Sequence, residues 1–249
     1  MELFKKYKGL ILLLLMSHVF LSLYGCSLNK QYSQKEQKVQ EETAISCIEA
    51  INYDLNDMVD YFAPNVVFVN ILPDGTKETI ENREGLMTII SNMIKDDVKF
   101  SVETIKHENG LVVIEGRETD YLTELKELKK GIRYSCRFSF DNGKIGYIVY
   151  EENKDDKKLL DSSIKGVTGM YLESDGEKIK ITECPVGQSA EKSGLKQGDV
   201  VESVEGMKVI EMRHGTEEAV NRIRGPVGTK VNLSIRRNRK LFDVELLRN

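Results

Sequence analysis

From residue 162 onward the chain is cut by Gly194, Gly198, Gly206, Gly225 and Gly228, and this punctuation leaves room only for short elements. "SAEK" (Ser189–Lys192) makes one turn of helix ended by Gly194, "KQGD" turns the chain, and Val200–Val204 is a strand. Thr216 is placed to cap a helix with Glu217 and Glu218 in its first turn, and Val220 and Ile223 on its apolar side. "RGPVGT" stops that helix, and Lys230–Arg236 and Leu241–Leu247 close as a strand pair. Ahead of these, Gly169–Glu173 and Lys178–Glu183 read as strands joined by "SDGE". A small fold of short strands and two short helices is the outcome.

The preceding part has longer periods. Ile45, Ile48, Ile51, Leu55, Met58, Val59 and Phe62 recur at helical spacing up to Pro64, and Asn82 heads a second helix carrying Leu86, Ile89, Ile90, Met93 and Ile94. Between them Val66–Asn70 is a short strand followed by the turn "LPDGT". Four alternating strands follow, near Lys99–His107, Leu111–Thr119, Ile132–Phe140 and Lys144–Tyr150, with "ENG" and "DNG" as tight turns. In the third, Ile132, Tyr134, Cys136, Phe138 and Phe140 share one face and Arg133, Ser135, Arg137 and Ser139 the other.

With 249 residues the chain holds enough material for two cores. The charged break "KDDKK" sets a linker at residues 154–161 between a first domain, 43–153, and a second, 162–249. Residues 1–25 have a Lys-bearing start and an apolar run too short to span a bilayer, the pattern of an export signal. The Gln-, Lys- and Glu-rich residues 26–42 bury almost nothing and read as a tether, whose second half could equally begin the next helix. The formal charge is −4, and the lysine-rich start makes the remainder more acidic still, so no nucleic acid is expected as a partner.

"LYGC" (Leu23–Cys26) resembles the lipobox of bacterial lipoproteins, with Tyr24 where a small residue is usual. The resemblance implies acylation, palmitate included, of Cys26 and a place on the outer side of the cell membrane. "YDLNDMVDYFAPNVVF", "ENREGL" and "FSFDNGKIGYIVYEEN" resemble the nuclear transport factor two superfamily, including SnoaL-like proteins. This implies helices wrapped by a curved antiparallel sheet around a cone-shaped cavity, used by some members for acid–base catalysis and by others for binding or dimerisation. "GMYLE", "SAEKSGLKQGDVVESVEG" and "EEAVNRIRGPVGTKVNLSIRR" resemble the PDZ domain of C-terminal processing peptidases, a small partly open β-barrel with two helices. The expected fold class is therefore α+β, a cone-shaped domain followed by a PDZ domain. The sequence given ends at Asn249, and the expectation is a PDZ domain without the peptidase domain.

The resemblance carries a peptide site onto Lys165, the loop Val167, Thr168 and Gly169, the strand Met170, Tyr171 and Leu172, and the helix wall Thr216, Val220 and Ile223. Lys165 would assist a terminal carboxylate. The familiar loop has two glycines where this chain has Val167 and Gly169, so strand addition at Met170–Leu172 is favoured over capture of a C-terminus. In the first domain the ionisable candidates for a cavity are Tyr53, Tyr61, Glu115, Arg117 and Tyr134, each with a packing or surface-pair alternative. The three histidines His18, His107 and His214 are scattered, and no metal or cofactor is expected. With Cys26 acylated, Cys47, Cys136 and Cys184 remain; Cys47 and Cys136 could pair, although buried thiols are favoured. A homodimer through the open sheet face is left open.

The function expected is a membrane-anchored, non-catalytic extracytoplasmic binding protein whose PDZ domain takes a peptide segment or C-terminus of another envelope or secreted protein. Two alternatives stand beside it: a small-molecule binder or enzyme using the cone cavity, and a regulator of a separate envelope protease.

Overall fold

The computed structural model describes residues 32–53, 58–174 and 178–249. Cys26, His18 and the rest of the export segment lie outside the described residues, as does most of the "SDGE" turn. The described residues form two compact units, one ending at Asn153 and the other running from Lys154 to Asn249, with the excursion Leu122–Lys129 belonging to the second. No described helix is long and apolar enough to cross a membrane.

The first unit starts with α1 (Gln34–Tyr53), so half of the expected tether is helix. A 3-10 turn, Met58–Tyr61, leads directly into β1 (Phe62–Ile71). The single long helix expected to reach Phe62 is thus divided: Met58 and Phe62 are core residues, but Phe62 is already on a strand, where its β-branched and aromatic successors pack better. β2 (Lys77–Ile80), α2 (Arg83–Lys95), β3 (Lys99–Glu108), β4 (Leu111–Thr119), β5 (Ile132–Asp141) and β6 (Lys144–Glu152) follow, while α3 (Tyr121–Leu125), between β4 and β5 in the chain, leads into the excursion that belongs to the second unit. Asn82 caps α2 as expected, its side-chain oxygen accepting from the Gly85 amide at 2.7 Å.

The sheet order is β2-β1-β6-β5-β4-β3. All neighbours are antiparallel except β1 and β6, which run parallel, so the sheet is mixed rather than wholly antiparallel. Bulges in the β1–β6, β3–β4 and β5–β6 pairs bend it. The inward residues of β5 are Ile132, Tyr134, Cys136, Phe138 and Phe140, all buried, so the alternation read from the sequence is the observed one. Tyr134, Cys136, Phe138 and Phe140 form one core with Ala44, Cys47 and Ile48 of α1 and Leu86 and Ile90 of α2. Asn52 fixes the end of α1 to β3: its amide nitrogen donates to the Phe100 carbonyl at 2.8 Å and its oxygen accepts from the Phe100 amide at 2.8 Å.

In the second unit, Lys154–Ile164 is not an extended linker but a helix, α4, with Asp155 and Asp156 in its first turn and Leu160 buried. Next come β7 (Tyr171–Ser174), β8 (Ile179–Glu183), α5 (Ser189–Lys192), β9 (Val200–Val204), β10 (Met207–Lys208), a 3-10 turn Val209–Glu211, α6 (Gly215–Ile223), β11 (Lys230–Arg237) and β12 (Lys240–Leu247). The sheet runs β12-β11-β9-β8-β7, with β10 paired to β9, and its core holds Ile179, Ile181, Val201, Val204, Leu233, Ile235 and Leu246. Thr216 is not the cap of α6; the helix begins one residue earlier, at Gly215, and His214 is its N-cap.

Arg248 closes the other end of α6. Its guanidinium, buried, donates to the carbonyls of Ile223 at 2.8 Å and Arg222 at 3.0 Å, and to Lys230 O at 2.6 Å and Thr229 Oγ1 at 2.9 Å. Lys126, on the Leu122–Lys129 excursion, adds a second cation there, donating from Nζ to Asn221 O at 2.6 Å and Arg224 O at 2.8 Å. Two cations on the final carbonyls of a helix satisfy acceptors that have no intrahelical partner and oppose the helix dipole.

Candidate functional site

The polypeptide leading to β7 is first tied to Gly225, with which Gly166 exchanges two hydrogen bonds, its amide donating at 2.7 Å and its carbonyl accepting at 3.2 Å. Val167 exchanges two hydrogen bonds with the last residue, its amide donating to Asn249 O at 3.1 Å and its carbonyl accepting from Asn249 N at 2.8 Å. The Thr168 carbonyl accepts from Ala190 N at 3.0 Å, which ties the loop to α5. Gly169 then takes φ +70°, a conformation that a side chain resists. Among the described residues, the amides of Thr168, Gly169 and Met170 have no hydrogen-bond partner within the chain.

Beyond this loop β7 pairs with β8, and among the described residues no strand pairs with its other edge. Met170 and Leu172 are half-buried against the core, while Tyr171 is 61% exposed. A strand with one edge unpaired and one face apolar is a template for another extended chain. Of the helix residues expected beside it, Thr216 and Val220 are half-buried and four positions apart on one face of α6, whereas Ile223 is fully in the core. Lys165 is exposed ahead of the loop. The strand expected over Gly169–Glu173 runs instead from Tyr171 to Ser174, because Gly169 at φ +70° still belongs to the turn, so Met170 lies ahead of the strand rather than on it; Thr216 and Val220 are on α6, and Ile223 is buried in the core.

The first unit contains a different kind of site, a cavity of about 50 Å³ between the helices and the sheet. Its walls come from α1 (Cys47, Ile48, Ile51), α2 (Leu86, Ile90, Met93) and the inner sheet face, where Phe100, Tyr134 and Tyr150 meet. Phe100 presents its edge to both tyrosines, at centroid distances of 5.2 and 6.2 Å, and the tyrosines stack at 5.8 Å. The Tyr134 hydroxyl donates to Ser101 O at 3.2 Å and the Tyr150 hydroxyl to Glu118 Oε2.

Glu118 is the perturbed group of this unit. Burial, with Glu152 and Asp120 adding negative charge, pushes its carboxyl up to about 8 despite the opposing hydrogen bond from Tyr150. Burial likewise raises the tyrosines, Cys47 and Cys136. At neutral pH the cavity is thus walled by neutral phenols and thiols, with a protonated carboxyl behind one phenol. With both phenol hydroxyls donated to protein acceptors, the cavity presents an apolar lining suited to a small apolar molecule.

Of the five residues expected at a cavity, Tyr134 is on its wall. Tyr61 packs against the core from the 3-10 turn, and the side chain of Tyr53 lies outside what is described. Glu115 and Arg117 belong to the opposite face: Glu115 accepts from Thr104 Oγ1 at 3.1 Å, and Arg117 Nε donates to Glu103 at 2.8 Å. They bond to β3 and not to each other. The residues missed, Glu118 and Tyr150, had a usable signal, because Glu118 shares strand parity with buried Val112 and Ile114, and Tyr150 with buried Ile148. Among the described residues no cluster of metal-ligating side chains occurs, and Cys47, Cys136 and Cys184 are free.

Residues 158–236 match the model of the PDZ domain family. The chain is 36% identical over 99 residues to the carboxy-terminal processing protease CtpA of Bacillus subtilis (strain 168), a span of 40% of this chain and 21% of that protein. It is 33% identical over 104 residues to a probable CtpA-like serine protease of Staphylococcus saprophyticus, 41% of this chain and 20% of the other. The chain thus spans about a fifth of the length of these curated relatives. Among solved structures, an NTF2-like protein of unknown function from Cytophaga hutchinsonii aligns over 51% of this chain and 96% of its own at 15% identity, with a TM-score of 0.37.

Proposed function

We propose that this protein captures an extended peptide of another protein by adding it as a strand to the outer edge of β7, between that edge and α6. The observation that carries the reading is the one-sided pairing of β7 with three unpartnered amides directly ahead of it, in a PDZ domain. Main-chain hydrogen bonds along Met170–Leu172 supply affinity, and the apolar faces of Met170, Leu172 and Val220 select alternate side chains. The test is retention of peptides from a randomised decapeptide pool by the full chain, with Gly169→Val as the control. At φ +70° and with a β-carbon 2.2 Å from that of Gln188, the valine distorts the loop, and retention is lost. A pool that passes unretained over the unaltered protein refutes the proposal.

A second reading is favoured by the apolar cavity between the helices and the sheet: the first unit holds a small apolar molecule. Acid–base chemistry there belongs to this reading, with Glu118, which accepts from the Tyr150 hydroxyl, as its ionisable group. On the sequence pattern at Cys26 we further propose a lipid-anchored, extracytoplasmic location, where the captured chain would belong to an envelope or secreted protein and could include an envelope protease.

A further inference from the structure

The C-terminal end of α6 is held by side chains and by backbone at once. The last carbonyls of a helix have no intrahelical partner. Here Asn221 O and Arg224 O accept from Lys126 Nζ at 2.6 and 2.8 Å, and Arg222 O and Ile223 O accept from Arg248 at 3.0 and 2.8 Å. Gly225, next in the chain, exchanges its two hydrogen bonds with Gly166, which lies four residues ahead of Met170. The packing at this junction admits no side chain on either glycine. A β-carbon on Gly225 would fall 2.6 Å from Arg248 Cζ, and one on Gly166 would fall 2.7 Å from Gly225 O. The junction therefore ties the helix wall of the peptide site to the segment that leads into β7, beginning at the residue after Val220.

One member of the junction comes from outside the PDZ domain. Lys126 precedes the matched residues 158–236, and reaches α6 on the excursion between β4 and β5 that packs as part of the second unit. Stability alone does not account for a second cation there. Burial, with Arg248 and then Arg222 alongside, lowers the Lys126 ammonium to about 8, so its charged form is held at a cost.

We propose that Lys126 is a positioning residue of the peptide site: it fixes the end of α6 at the separation from β7 that an added strand requires, which makes capture by the PDZ domain conditional on a segment supplied from between β4 and β5. This rests on the strand-addition reading and adds a requirement to it. Thr216 and Val220 move with the helix, so the same residue also governs which side chains the site accepts.

The experiment measures binding of the retained decapeptides, their sequence preference and amide exchange in the full chain, unaltered and as Lys126→Met and Lys126→Arg. Lys126→Met keeps the aliphatic stem and removes the donor. It should weaken binding about tenfold, the worth of one hydrogen bond to a charged group, and broaden the preference, with exchange in β9 and β11 unchanged. Lys126→Arg keeps charged donors and should hold both affinity and preference near those of the unaltered protein. Affinity and preference unchanged in Lys126→Met overturn the inference but leave strand addition standing. Weaker binding accompanied by faster exchange in β9 and β11 makes Lys126 a stability residue of the whole unit and also overturns it, as does a Lys126→Arg protein no better than Lys126→Met. Retention of no decapeptide by the unaltered chain overturns both readings.

Discussion

The two units treat unsatisfied polar groups in opposite ways. The first draws a carboxyl, Glu118, and two phenols into an apolar interior, where their protonation is set by burial. The second pairs the buried Asp199 with Arg237 through two hydrogen bonds at 2.6 and 2.7 Å, and among the described residues carries unpartnered backbone amides at the loop ahead of β7. Buried polar groups make a site whose chemistry depends on pH; edge amides make one that depends on the shape of a partner's backbone. The contrast teaches that the two sites should fail independently and respond to different perturbations.

The most severe break is Gly116→Ala. A β-carbon on Gly116 would lie 1.8 Å from Ser101 O in the neighbouring strand, with Tyr134 3.1 Å away, so β3 must separate from β4. A loss of about 3 kcal/mol or more is expected, seen as lost amide-exchange protection in β3–β5 with β9 and β11 unaffected. Next is Arg248→Met, which leaves several buried carbonyls at the end of α6 without donors and should cost about 2–3 kcal/mol, read as exchange in α6 and β11 alone.

Alkaline pH sharpens the comparison further, because the two units should move in opposite directions. Glu118 is raised from 4.5 to about 8, so its contribution is complete below about 4.5 and is lost as pH rises through 8. Lys126 is lowered by burial, and by Arg248 and Arg222, from 10.5 to about 8. Its contribution is complete above about 10.5 and is lost as pH falls through 8. Between pH 7 and 9, exchange corrected for intrinsic rates should quicken in β4–β6 and slow in α6. Glu118→Gln should remove the first trend and Lys126→Met the second. The smallest effect expected is Tyr171→Ala: the side chain is 61% exposed, so stability should change by less than about 0.5 kcal/mol while peptide selection shifts.

The strands of both units were legible because alternation and tight turns are local signals: "DNG" gives Asn142 and Gly143 their positive φ values, and β5 shows its buried face directly. Less was legible where one residue serves two patterns. Met58 and Phe62 keep helical spacing with α1 but are buried by a turn and a strand. Lys154–Ile164 hides its helix behind charge, with Leu160 alone fully buried. At the cavity, Glu115 and Arg117 drew attention because they are charged, while Glu118, one position off in parity, is the group that faces inward. The involvement of Gln188 with Gly169 depends on a contact between segments far apart in the chain, which no local pattern carries.

The most direct measurement is amide hydrogen exchange of the full chain with and without the decapeptides it retains. Strand addition predicts new protection confined to Thr168–Ser174, with β3–β6 unchanged. Protection in β4–β6 or α1 instead, with the β7 edge exchanging as before, would contradict it.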